Sequence, residues 1–260
     1  MKRILIVAAA SLIAASRALA ADLPVRTGPV PAYYPVAAVY DWGGGYVGVN
    51  AGYAFGQSEW SDPLNPSGNS SSGNFNVKGA LAGITAGVSG QWNAFVLGVE
   101  GDFDWQGLQG SSNSSFCTSI FLSPTAGSAP AGLSCKTDST WIGTLRARAG
   151  YAWDRLLLYG TAGITGANVQ VRLDGQPRQT NFQVGWTAGA GLEWAFADNW
   201  TAKVEYLFVD LGTGPCNHGY SCGYDAPSAV LPPPGPVSAN DVVKLNENLI
   251  RFGVNFKFGH

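Results

Sequence analysis

The sequence predicts an all-β fold, an eight-stranded antiparallel transmembrane β-barrel. Three observations point there. Glycine supplies 35 of 260 residues and charged side chains only 12%, a poor composition for helices, where each interior glycine costs about 1 kcal/mol relative to alanine. From Asp41 onward, apolar or aromatic side chains recur at every second position, the period of a strand. The connections between these stretches alternate between tight turns and long polar loops. A hydrophobic fraction of 46% and a net charge of −2 exclude a disordered chain. The near-balance of charge also argues against a nucleic-acid partner.

Residues 1–20 read as a cleavable export signal. Lys2 and Arg3 precede an apolar run from Ile4 to Ala15, and Ala18-Leu19-Ala20 forms the cleavage site. The run is too short for a spanning helix, which needs about 20 apolar residues. Residues 21–41 carry Pro24, Pro29, Pro31 and Pro35. Proline removes a ladder donor, so this stretch reads as an extended periplasmic segment. The barrel is assigned to residues 42–260.

Eight segments follow in order. The first (Gly45 to Gly56), second (Val77 to Gln91) and fifth (Leu156 to Val171) are rich in Gly and Ala. The third alternates Phe95, Leu97, Val99, Phe103 and Trp105 with Gly98, Glu100, Asp102 and Asp104. The fourth sets Trp141, Leu145, Ala147, Ala149, Tyr151 and Trp153 against Thr144, Arg146, Arg148 and Gly150. The sixth sets Trp186, Leu192 and Trp194 against Gly191 and Glu193, and the seventh sets Val204, Tyr206 and Phe208 against Lys203 and Glu205. In the eighth, Ile250, Phe252, Val254, Phe256 and Phe258 oppose Arg251, Gly253, Asn255 and Lys257.

A soluble sandwich alternates too. Two features select the outer-membrane type. Aromatics gather at the segment ends, with Trp92, Trp153, Trp194, Phe196 and Trp200 at one end and Phe55, Trp105, Trp141 and Phe208 at the other. Such paired girdles mark the two membrane interfaces. Short turns at 91–94, 154–155 and 197–199 alternate with expected extracellular loops near 57–76, 108–138, 172–181 and 212–246. Eight crossings return the chain to its starting side, which places both termini in the periplasm.

The stretches Tyr46 to Tyr53 (YVGVNAGY), Phe95 to Asp102 (FVLGVEGD), Gly143 to Tyr151 (GTLRARAGY) and Val204 to Gly212 (VEYLFVDLG) carry a family likeness. The chain resembles the small outer-membrane β-barrel proteins of alphaproteobacteria, the outer membrane immunogenic or porin-family proteins, whose barrel is similar to the OmpA transmembrane domain. The resemblance implies a non-enzymatic structural envelope component and surface antigen. It also implies two alternatives, a narrow small-solute porin and a loop-based binder of haem or a host ligand. The implied partners are outer-membrane lipid, lipopolysaccharide and the barrel assembly machinery acting on the C-terminal strand. No catalytic residue, cofactor or metal is implied. Family members usually end on an aromatic, whereas here Gly259 and His260 follow Phe258.

Ten charged residues are expected to face the lumen: Glu100, Asp102, Asp104, Glu193 and Glu205 against Arg146, Arg148, Lys203, Arg251 and Lys257. Eight strands enclose just enough space for side chains to fill. The balanced set therefore reads as a salt-bridged plug, with a polar permeation path as the alternative. Cys117, Cys135, Cys216 and Cys222 are disulfide candidates in an exported chain. Three pairings are open, and pairing within each loop is the simplest. The run from Cys216 to Cys222 with His218 also admits a metal-clip reading, which oxidising conditions disfavour. Gly43, Gly45 and Gly48 fit G-x-G-x-x-G but open a strand, whereas the nucleotide motif needs a strand before it and a helix after it. His218 and His260 lie off the expected strands, and nothing pairs them with a nucleophile.

Overall fold

The computed structural model describes residues 40–61, 71–119, 133–173, 178–215 and 242–258. The export-signal stretch, nearly all of the proline-rich segment, and Gly259 and His260 lie outside them. Eight antiparallel strands close into a barrel in sequence order: β1 (Gly44–Ser61), β2 (Phe75–Trp92), β3 (Phe95–Ser112), β4 (Cys135–Trp153), β5 (Leu156–Leu173), β6 (Gln179–Ala195), β7 (Trp200–Pro215) and β8 (Val242–Phe258). The closing seam runs from Gly45 opposite Phe258 to Ser61 opposite Val242. Closure leaves no unpaired edge, the condition for strands to cross lipid. The short turns fall at Asn93 and Asp154, which adopt φ of 56° and 51°. Asn and Asp tolerate this left-handed region better than other non-glycine residues.

The register explains the glycine excess. Large inward side chains lie opposite a glycine on the neighbouring strand: Arg251 faces Gly52, Glu100 faces Gly87, Asp104 faces Gly83, Arg148 faces Gly98 and Arg146 faces Gly163. A methyl group on Gly52 would lie 2.1 Å from the Ile250 carbonyl oxygen, and one on Gly163 would lie 2.1 Å from that of Leu145. The bare backbone lets a long side chain lie flat against the wall, so a narrow barrel holds many of them.

The strands run past the expected loop boundaries. β1 continues to Ser61, β3 to Ser112, β5 to Leu173 and β7 to Pro215, while β4 starts at Cys135 and β8 at Val242. The extra pairing exists because the hydrophobic pattern changes phase. Between the girdles, Ile250, Phe252 and Val254 face outward and Arg251 and Asn255 inward. Beyond Ile250, Leu249, Leu245 and Val243 face inward, while Asn248, Asn246 and Lys244 face outward. Trp60, Val77, Leu108, Val169, Val171 and Val209 join the same buried core. This end of the molecule is therefore built like a water-soluble barrel standing on a membrane-embedded one. Register shifts mark the transition, between Trp105 and Leu108, Ser139 and Ile142, and Asp210 and Thr213. At the second, the Asn168 Oδ1 accepts from the backbone N–H groups of Thr140 and Trp141 at 3.0 and 2.9 Å. That side chain supplies the bonds the interrupted ladder lacks.

A short helix, α1 (Ser115–Ser119), packs Phe116 and Cys117 into the core. Cys117 is disulfide-bonded to Cys135, the first residue of β4. Cys135 is thus a strand residue, not a loop residue. Cys216 and Cys222 lie outside the described residues.

Candidate functional site

The lumen is layered. At the short-turn end, the segment ahead of β1 folds across the barrel mouth. The Tyr40 N–H donates to Asp154 Oδ1 at 3.1 Å, the Trp42 N–H to Gln91 Oε1 at 2.6 Å, and the Trp42 indole N–H to the Asp154 carbonyl at 2.9 Å. Tyr40 and Trp42 are buried with Val96, Ala152, Leu157, Tyr159 and Ala195. The Tyr40 ring lies against two cations, Lys257 Nζ at 4.7 Å and the Arg155 guanidinium at 5.6 Å. Burial, aided by the Glu193 carboxylate, pushes the Tyr40 phenol up to about 12.

Above this cap lies the charge network. Arg146 is wholly buried and reaches Glu100 at 2.6 Å, Asp102 at 2.6 Å and Glu205 at 3.0 Å. Arg148 pairs with Glu193, stands 3.6 Å from Glu100, and lies 3.9 Å from the centre of the Tyr159 ring. Lys203 reaches Glu100 at 2.8 Å. Arg251 reaches Asp104 at 2.7 Å and also pairs with Glu205. Neutral donors saturate the acids further: Tyr46 to Glu100 at 2.8 Å, Tyr159 to Glu205 at 3.0 Å, Thr85 and Thr144 to Asp102 at 2.6 and 2.9 Å, and Asn255 to Glu193 at 2.9 Å. Buried charges persist only when paired and hydrogen-bonded in this way.

Nine of the ten charged residues expected in the lumen meet in this network. Lys257 sits apart at the mouth, where it donates to the Asp41 carbonyl. Sequence reasoning passed over Tyr46 and Tyr159, whose rings read as strand aromatics. It also missed Glu247, which lies in the stretch between the expected fourth loop and the eighth segment. Glu247 is fully buried, with the Gln106 side chain beside its carboxylate and no cation partner among the described residues. Seen from Arg251 it lies beyond Leu249 on β8, opposite Gly56 on β1 and Val209 on β7, and so inside the apolar core. Between it and the charge network, Ala54, Leu207 and Leu249 face the interior at one level and are wholly buried. Among the described residues, no group of three or more His, Cys, Asp or Glu is arranged to hold a metal ion.

The outer wall completes the description. Phe103 stacks on Trp141 at 5.6 Å and Trp141 on Phe182 at 5.8 Å, forming one girdle. Trp92, Phe95, Trp153, Trp194 and Phe258 project from the other end. A closed barrel with charges inside, an apolar band outside and aromatics at both rims defines an outer-membrane β-barrel protein. Residues 5–258 match the family profile described as outer membrane protein beta-barrel domain, and the chain belongs to that family. The 31 kDa outer-membrane immunogenic protein of Brucella melitensis biotype 1 is 34% identical over 271 residues, covering 99% of this chain and 100% of the relative. The 25 kDa outer-membrane immunogenic protein of Brucella abortus biovar 1 is 33% identical over 258 residues, covering 99% of each. Among solved structures, Neisserial surface protein A aligns with a TM-score of 0.40 and 16% identity, covering 82% of this chain and 97% of that one. The family profile and the Brucella relatives place the protein in the cell outer membrane.

Proposed function

We propose that this protein is a sealed, non-catalytic outer-membrane barrel that reinforces the envelope and presents a surface antigen. The carrying observation is the triple closure of the lumen. Tyr40 and Trp42 cover one mouth, the Arg146 and Arg251 network fills the middle, and the apolar core running from Leu207 and Leu249 to Leu245 and Trp60 fills the far end. A permeation path needs a continuous polar route, and the apolar layer interrupts it. The immunogenic relatives support surface display. In this reading, the turns at Asn93 and Asp154 and the Tyr40 cap face the periplasm, and the strand extension projects from the cell.

Planar-bilayer recording of the refolded protein tests the reading. The expected trace is flat, without stepwise conductance. Reproducible steps across independent insertions would replace it with the small-solute porin.

A further inference from the structure

One seam of the barrel is not paired to its rim. The β6–β7 ladder stops at Trp186 opposite Asp210, although β6 begins at Gln179 and β7 runs to Pro215. Beyond that point β7 pairs only with β8 among the described residues. A register shift between Asp210 and Thr213 turns the strand there, with Gly212 at a φ of 65° and its N–H donating to Asp210 Oδ1 at 2.8 Å. Across the gap the Gln183 side chain lies against Gly214, where an added methyl would meet Gln183 Nε2 at 2.2 Å. Gln183 is buried, and neither atom of its amide has a hydrogen-bond partner among the described residues. Side-chain packing, not a ladder, closes this side. The outer ends of β7 and β8, residues 211–215 and 242–249, thus form a flap hung from β1, to which β8 stays paired as far as Ser61 opposite Val242. The inner face of the flap carries Leu211, Val243 and Leu245 into the apolar core.

Glu247 sits at the root of the flap. It lies opposite Val209 on β7, just before the register shift, and opposite Gly56 on β1. Its inward neighbours on β8 are Leu245 and Leu249, and Gln106 of β3 meets its carboxylate from across the barrel. No charged group faces it among the described residues. Lys244 on β8, Glu59 on β1 and Asp210 on β7 point outward. Arg251, on the far side of Leu249, and Asp104, two positions from Gln106, pair with each other at 2.7 Å. Asn246 and Asn248 face outward on either side of Glu247, so this level stands clear of the lipid band. Burial, opposed by the Gln106 hydrogen bond, pushes the Glu247 carboxyl up from 4.5 to about 7. We propose that Glu247 is a proton-operated catch on this flap: the neutral acid lets the outer ends of β7 and β8 seat on the core, and its ionisation releases them. An ionised carboxylate in an apolar core is costly, and opening the flap on its unpaired β6 side hydrates the charge without breaking the β1–β8 seam. The hold is complete below pH 4.5, weakens as pH rises to about 7, and stays weak above it. The Arg146 network beneath keeps the lumen sealed in both positions.

Hydrogen exchange of the refolded full chain in lipid, corrected for the intrinsic chemical rate at each pH, tests the catch. Between about pH 5 and about pH 8 the opening constant of amides in 242–249 should rise by about tenfold or more. The rise should level off above about 7. The amides of Val169 and Val171, in the same core on β5, should not follow. Glu247→Gln should keep the flap amides at their acid-state protection across the whole range. Gln106→Leu removes the hydrogen bond that favours the charged carboxylate, so it should move the levelling point to higher pH. The parent profile decides on its own if either variant does not fold. A flat parent profile, a rise that persists in Glu247→Gln, an unmoved levelling point in Gln106→Leu, or an equal rise at Val169 and Val171 would overturn the proposal.

Discussion

At the scale of single residues, the charge network sets five acids against four bases, and Glu247 stands apart from it without a cation. Arg146 bridges three acids at 3.0 Å or less. Arg146→Ala takes one cation from three buried carboxylates that keep only Arg148, Lys203 and Arg251 between them, and should lower stability by about 3–5 kcal/mol. Leu145→Ala, one position along on the lipid face, creates no such imbalance. Urea unfolding in matched lipid compares the two, and equal losses would contradict the paired network. Glu247 predicts the opposite sign. Its buried carboxylate meets the neutral Gln106 side chain and no cation among the described residues. Glu247→Gln should therefore raise stability by about 1–3 kcal/mol in the same assay. Tyr40 carries a pH dependence. Its phenol is raised from 10.0 to about 12 in the folded state, so it favours docking fully below pH 10.0 and loses that contribution as pH rises through about 12. Trp42 fluorescence, isolated by subtracting a Trp42→Phe variant, should report loss of the cap across that window. Tyr40→Phe should abolish the transition at little cost, since the Tyr40 hydroxyl has no hydrogen-bond partner among the described residues.

At the scale of elements, strand number and the inward charged faces were legible, because a strict period of two places Arg146 and Arg148 on one face and Leu145 and Ala147 on the other. The strand ends were not. Leu249 and Ile250 are adjacent apolar residues on opposite faces, and there the alternation slips from lipid-facing to core-facing. A search for one continuous phase stops at such a step and assigns the remainder to a loop. The register shifts at Trp105, Ser139 and Asp210 blur the pattern further. Glu247 disappeared from view for the same reason. The hydroxyl contacts of Tyr46 and Tyr159 were illegible on other grounds, since Tyr46 on β1 reaches Glu100 on β3 and Tyr159 on β5 reaches Glu205 on β7, strands that are not neighbours. The disulfide ties α1 to the start of β4. Its reduction, or paired Cys117→Ser and Cys135→Ser replacement, should lower stability by about 2–4 kcal/mol. Protease cutting within 120–132 should quicken as well. Unchanged unfolding with and without reductant would contradict a stabilising role.

At the scale of the whole molecule, the phase change divides the barrel into a band that suits lipid and a projecting part that suits water. Protease shaving of intact cells should cut within 216–241 and spare the turn at Asp154 and Arg155; the reverse pattern would invert the orientation. The charge network has a further consequence, for assembly. Some of its pairs join strands that are neighbours, as Arg146 does with Glu100 across β3 and β4. Others cross the interior, as Arg251 on β8 does with Asp104 on β3, and Lys203 on β7 with Glu100 on β3. Hairpins can form the first kind on their own. The second kind exists only once the sheet has curled round and β1 has zipped to β8. An open, half-rolled sheet would hold those ions without partners in a poorly hydrated trough, so partial closure gains little and complete closure gains all at once. The crossing pairs act as a latch that rewards only the finished ring, a built-in check on whether the last strand has found the first.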